Sequence, residues 1–171
     1  MGICQVLLIA GHETTTCRLG NAVQLLLAHP DVLEAVRQTP ELLPRFIDEV
    51  LRYDSPVSVR SRIASEDVEI GGQQVTSGQG LLVLIGAANR DARTFRDPDR
   101  FDLHREPNHH LGFGEGPHYC LGAALARLEA RLAMEILLER APKLSMVVGA
   151  QLQRPPNFTL RGWQALPVAF S

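Results

Sequence analysis

The sequence predicts a mainly α protein with small β-sheets, and three observations lead there. Ile3 to Ala28 keeps a helical apolar period throughout, with Val6, Ile9 and Ala10 followed by Leu19, Val23, Leu26 and Leu27. A second periodic run follows Cys120, where Leu121, Leu125, Leu128, Leu132 and Ile136 recur at three and four residues up to about Arg140. Between them, short apolar segments separated by Gly71-Gly72, Gly78 and Gly80 read as brief strands. With 171 residues and 45% apolar side chains the chain can bury one core and fold.

The elements follow in order. The first helix carries Ala10-Gly11-His12-Glu13-Thr14-Thr15-Thr16 in its middle, where strong helix formers are expected. Threonine hydroxyls can capture the carbonyl one turn back, so a local bulge is expected there, a helix end being the alternative. The chain enters this helical pattern at Ile3 without a preceding turn, which reads as a piece of a longer fold. His29-Pro30 ends the helix, and Asp31 is placed to cap the next, Val32 to Gln38. Pro40 opens a short segment; Leu43-Pro44 then opens a helix to Tyr53 with Phe46, Ile47, Val50 and Leu51 on its apolar face. Glu49 and Arg52, three apart, share one side of it.

Ser55-Pro56 stops that helix, and strands are expected through Val57, Val59 and Ile63, through Val68 and Ile70, at Gln73 to Val75 and at Leu81 to Ile85. An irregular meander rich in proline and aspartate runs to Arg105. Beyond Pro142, strands are expected at Leu144 to Val148 and Gln164 to Phe170.

Net charge of −2 gives no case for nucleic acid. Cys4, Cys17 and Cys120 make no disulfide framework, which fits a reducing, cytoplasmic compartment. The apolar run Val6 to Ala10 is too short to span a membrane, and no basic n-region precedes it.

Chemistry concentrates in His109-His110-Leu111-Gly112-Phe113-Gly114-Glu115-Gly116-Pro117-His118-Tyr119-Cys120-Leu121-Gly122. Glycines at 114, 116 and 122 let the backbone approach a flat ligand closely, and Pro117 pushes Gly116 towards an extended conformation. Cys120 lies just ahead of the second long helix, where the macrodipole favours an anionic sulfur that can act as a metal ligand. A buried structural cysteine in a glycine-rich turn is the plainer alternative. A second alternative is a metal site built from His109, His110, His118 and Cys120, although their spacing matches no recognised zinc pattern.

The pattern FGxGxHxCxG over Phe113 to Gly122 resembles the haem loop of the cytochrome P450 family, and two further motifs stand in the family's order: AGHETT at Ala10 to Thr15 and ExxR at Glu49 to Arg52. The resemblance covers essentially the whole chain but only the C-terminal part of the family pattern, so it implies a single C-terminal haem-binding portion over residues 1–171, with the N-terminal half absent. It implies haem b with Cys120 as axial thiolate, Phe113 beside the sulfur, Gly114 and Gly122 shaping the loop, and His118 and Arg62 on the haem propionates, Arg60 being a possible substitute for Arg62. It implies that Glu13 and Thr14 deliver protons, and that Glu49, Arg52 and Arg100 form a buried structural network. Pocket walls are expected from Ile9, Ala10, Val57, Val59 and Leu160. The implied activity is hydroxylation of a small organic substrate with O2 and two electrons from a partner such as a ferredoxin with its NAD(P)H-dependent reductase. The alternative is a non-catalytic haem-binding fragment.

Overall fold

The computed structural model describes residues 2–170. Helices dominate, in the order α1 (Ile3–Ala28), α2 (Pro30–Gln38), α3 (Leu43–Tyr53), a short α4 (Ile85–Ala88) and α5 (Ala123–Arg140). Strands β1 (Arg60–Ile63), β2 (Val68–Ile70), β3 (Gln73–Val75) and β4 (Gly80–Val83) lie between α3 and α4, and β5 (Leu144–Met146) and β6 (Val168–Phe170) follow α5. The predicted mainly α architecture with small sheets is therefore observed.

The core lies where the second half of α1 meets α2, α3 and α5. Ala22, Leu25 and Leu26 of α1 pack with Val32 and Val36, with Phe46, Ile47, Val50 and Leu51 of α3, and with Ala130 and Met134 of α5. Phe101 and Leu103 of the meander close one side, and Phe101 stacks on His29 at 5.1 Å and meets Tyr53 edge-on at 5.5 Å. Burial of this apolar surface, at about 25 cal/mol per Å², is the main force holding the helices together. α3 begins well because Pro44 occupies its first turn, where a missing N–H costs nothing.

Among the described residues the strands form three antiparallel pairs: β1 with β4 (Arg60 opposite Val83), β2 with β3 (Val68 opposite Val75) and β5 with β6 (Leu144 opposite Phe170). Several predicted bounds shift for identifiable reasons. Val57 to Val59 join no strand; Ser58 instead donates its N–H to Thr159 and accepts one from Gly86, and Val57 bridges Leu160. The apolar run ending at Ile85 is a strand only to Val83, because Ile85 turns inward to start α4 and its carbonyl accepts the Asn89 N–H at 3.0 Å. β5 stops at Met146, before Gly149 takes φ +78°. β6 is confined to Val168–Phe170, because Gln164 donates its N–H to Gln153 rather than to a strand. α2 starts at Pro30, with His29 as its cap and Asp31 in its first turn.

α1 runs unbroken as an α-helix, without the expected bulge. The hydroxyls of Thr14 and Thr16 donate to the carbonyls of Ala10 and His12, at 2.6 and 2.9 Å, without interrupting the ladder. Its first half is exposed, with Ile3 at 72% and Leu8 at 70%. Its second half is anchored: Asn21, fully buried, donates to the carbonyls of Asp54 and Arg161 at 3.0 Å each. Among the described residues no helix is long and apolar enough to cross a membrane.

Candidate functional site

Glu49 and Arg52 fall one turn apart on the inner face of α3 and are almost completely buried. A buried charge is tolerated only when paired and hydrogen-bonded, and this pair meets both conditions. Arg52 donates from Nε and Nη2 to the two carboxylate oxygens of Glu49, each at 2.8 Å, in a bidentate fork. Its remaining donors reach the carbonyls of Asn89 (2.9 Å), Pro98 (2.8 Å) and Arg100 (3.0 Å), so all five N–H groups are engaged. Arg52 thus joins α3 to the end of α4 and to the meander.

The third side chain of this network is Arg105 and not Arg100. Arg105 Nε donates to Glu49 Oε1 at 3.2 Å, and its Nη atoms reach the carbonyls of Arg96, Asp97 and Arg100. The side chain of Arg100 is exposed, and the residue takes part only through its backbone carbonyl. Arg100 and Arg105 lie five residues apart in an irregular segment, so periodicity could not decide which turns inward. Glu49 also accepts the Asp102 N–H (2.8 Å) and the Asn108 amide (3.3 Å).

Asn89, to which no motif or period points, braces the site. It is fully buried, donates to Ser55 Oγ at 2.8 Å and accepts the Leu111 N–H at 2.7 Å, tying the start of the cysteine loop to the end of α3. The hydrophilic stretch after an apolar run was the only signal it gave.

From Leu111 the loop folds back on itself. Gly114 donates to Leu111 (2.8 Å) and Cys120 to Phe113 (2.9 Å), so the limbs before and after the glycines are hydrogen-bonded to each other. Gly114 at φ +74° and Gly116 at φ +71° make the reversals in a region that side chains disfavour. Gly116 is therefore not extended, as its position before Pro117 led us to expect; it starts a 3-10 turn, Gly116–His118, that left-handed entry makes possible. Gly112 is pressed on α3: a Cβ there would lie 3.2 Å from the Leu51 carbonyl oxygen. Cys120 leaves the loop exposed and in no disulfide. Its carbonyl accepts the Ala123 N–H at 3.2 Å, so the sulfur sits just before α5, and a Cβ on Gly122 would reach within 4.0 Å of it.

The other predicted residues occupy separate places. Glu13 is exposed and Thr14 half-buried on adjacent positions of α1, with Ile9 and Ala10 on its exposed first half. Val57 and Leu160 are brought together by their bridge, and Val59 lies two residues further on, half-buried. Arg62, on β1, donates only to the neighbouring Ser61 carbonyl, and His118 and Arg60 are exposed. α1 is linked to α5 by the buried Arg18, 3.9 Å from Glu129, and by Thr15, 3.5 Å from the same carboxylate. Burial pulls the Arg18 guanidinium below its ordinary pKa, against the pull of Glu129. The Cys17 thiol is pushed above its ordinary pKa first by burial and then by the charge of Glu13.

The histidine–cysteine metal set considered from sequence is not assembled. His110 turns away towards Asp48 and the Gly112 N–H, and among the described residues no group of three or more His, Cys, Asp or Glu side chains could hold a metal ion.

The family pattern named cytochrome P450 matches residues 2–142. The chain belongs to the cytochrome P450 family. Cytochrome P450 107B1 of Saccharopolyspora erythraea is 48% identical over 165 residues, which is 95% of this chain and 41% of that protein. The biotin biosynthesis cytochrome P450 of Bacillus subtilis is 46% identical over 98% of this chain and 42% of its own length. The crystal structure of P450BioI in complex with a hexadec-9Z-enoic acid ligated acyl carrier protein superposes with a TM-score of 0.94 at 45% identity, over 98% of this chain and 44% of that one. The chain therefore spans 41–42% of the length of these curated relatives. Membership implies a haem with a cysteine thiolate ligand, and the residues present fit it: an exposed sulfur on a braced loop, flanked by glycines that leave room for a flat ring.

Proposed function

We propose that this chain is the C-terminal, haem-binding portion of a P450 monooxygenase, with Cys120 as the axial thiolate. The observation that carries the reading is the presentation of Cys120: its sulfur is exposed, while the loop that bears it is tied by Asn89 to the fully engaged Glu49–Arg52 pair. The Arg62 guanidinium donates only to the neighbouring Ser61 carbonyl and the His118 ring is exposed, which leaves both free to donate hydrogen bonds to the haem propionates. When bound, haem with thiolate ligation supplies the dioxygen chemistry, in which sulfur donation favours O–O cleavage.

The rest is the work of this chain's residues. The Thr14 hydroxyl donates to the Ala10 carbonyl, which leaves its lone pairs to accept a hydrogen bond, and the exposed carboxylate of Glu13, next in sequence, can exchange a proton with solvent. Ile9, Ala10, Val57, Val59 and Leu160 provide apolar wall for a small organic substrate. Two electrons come from a redox partner such as a ferredoxin with its NAD(P)H-dependent reductase, in a cytoplasmic setting that keeps Cys4, Cys17 and Cys120 reduced. Water exclusion is left to the rest of the fold: the first half of α1 is bare, with Ile9 56% exposed, and the relatives are more than twice as long.

Adding hemin to the purified chain and recording the ferrous carbon monoxide spectrum tests the ligand. The wild type is expected to give the thiolate-type band and Cys120→Ser to lose it; identical spectra would refute the assignment. A thiolate-type band with no hydroxylation, when electrons and O2 are supplied, favours the non-catalytic haem-binding reading.

A further inference from the structure

Asp48 precedes Glu49 on α3 and so points about 100° away from the buried network. One of its oxygens, Oδ1, meets two side chains from different elements: Arg127 Nε of α5 at 2.9 Å and His110 Nε2 of the loop at 3.5 Å. His110 Nδ1 accepts the Gly112 N–H at 3.1 Å, so Nε2 carries the ring proton and is the atom turned to Asp48.

Arg127 in turn touches both limbs of the cysteine loop. Its guanidinium lies 4.6 Å from the centre of the Phe113 ring, and Nη1 donates to the Tyr119 hydroxyl at 3.4 Å. Phe113 is the residue whose carbonyl accepts the Cys120 N–H, and Tyr119 is the residue before Cys120. Two rigid helices therefore grip the loop at its entry, through His110 and Gly112, and at its two limbs, through Arg127.

We propose that Asp48, His110 and Arg127 are positioning residues for Cys120: they hold the Phe113 and Tyr119 limbs together so that the sulfur is posed before any ligand arrives. The chemical consequence rests on the reading of Cys120 as the thiolate ligand, whereas the brace itself belongs to the chain alone. A planar guanidinium is required at 127, since an ammonium cannot face a ring and bond a carboxylate and a phenol in one plane.

The test is amide hydrogen exchange of Cys120 and Gly114 in the chain without haem. Asp48→Asn and Arg127→Lys are each expected to speed it about fivefold, the scale of a charged pair that is 35% and 40% exposed, while Val50 and Ala130 in the core keep their rates. Asp48→Glu should restore most of the protection. With hemin added, both variants should divide between the thiolate-type band and the neutral-thiol band where the wild type shows the first. Cys120 exchange changed less than about threefold in both variants, or accelerated only together with Val50 and Ala130, overturns the proposal. If the wild type takes up no hemin the haem-ligand reading fails, while the exchange result still decides the brace.

Discussion

Replacing Arg105 by alanine, beside the same change at Arg100, separates two assignments of the buried network by their cost. The Arg105 side chain is 7% exposed, bonds Glu49 Oε1 at 3.2 Å, and donates to the carbonyls of Arg96, Asp97 and Arg100. Removing one member of a buried ion pair can cost about 3–5 kcal/mol when the other charge is orphaned. Glu49 is not orphaned here, because the Arg52 fork, the Asp102 N–H and the Asn108 amide remain. The loss is then one charge-assisted bond of about 1.5–3 kcal/mol plus part of the carbonyl contacts, or about 2–4 kcal/mol in all. For a chain of this size that corresponds to a fall in Tm of about 5–12 °C. Arg100→Ala removes an exposed side chain and leaves its carbonyl in place, so it should stay within about 0.5 kcal/mol. Urea unfolding followed by far-UV circular dichroism reads both. Equal losses for the two variants, or a larger loss for Arg100→Ala, would refute the placement of Arg105.

Two further outcomes follow from close contacts and charge. A Cβ at position 162 would lie 2.6 Å from Cys17 Sγ and 3.2 Å from its Cα; the Cα belongs to α1 and cannot swing aside, so Gly162→Ala should cost about 1–3 kcal/mol of unfolding free energy, and an unchanged urea midpoint would contradict that packing. Burial alone would raise the Asp48 carboxyl, but the hydrogen bonds from His110 and Arg127 outweigh it and hold the pKa below the ordinary carboxylate value. A depressed folded-state pKa gives stability that is present above the unfolded pKa and lost as pH falls through the folded one. The stability difference between wild type and Asp48→Asn should therefore be largest near neutral pH and shrink in acid; a difference independent of pH would sink the pairing.

Local signals carried most of the helices. The bounds of α1 and α3 follow from apolar period and from punctuation by Pro30, Pro44 and Pro56, and the structure places them at Ile3–Ala28 and Leu43–Tyr53 as expected. The Glu49–Arg52 pair was visible because both members sit on one helix, where spacing alone determines adjacency. What escaped were partners joined across the fold. Arg105 from Glu49, Asn89 from Leu111, and Asp48 from His110 and Arg127 are each separated by twenty residues or more, and no period relates them. The meander holds arginines at 90, 93, 96, 100 and 105, all similar to the eye, and only the path of an irregular backbone selects the inward one. Strand ends failed for a related reason: Val57 to Val59 and Ile85 are apolar enough for a ladder, but their hydrogen bonds go to the 157–160 segment and to α4.

α5 shows most clearly what a periodic stripe does and does not say. The residues that revealed it as a helix, Leu121, Leu125, Leu128, Leu132 and Ile136, are all exposed, Leu121 at 93%. The face that packs on α1 and α3 is a different one, made by Ala123 and Ala130, whose small side chains allow close approach, and by Met134, which fills the space between the helices. A helix apolar on two sides has two interfaces to fill, and this chain fills one. The leucine stripe and the first half of α1 are thus two apolar surfaces left largely bare among the described residues. The period predicted the helix correctly because any apolar face produces it, whereas which face packs is not recorded in periodicity, which marks a stripe as apolar and not as covered.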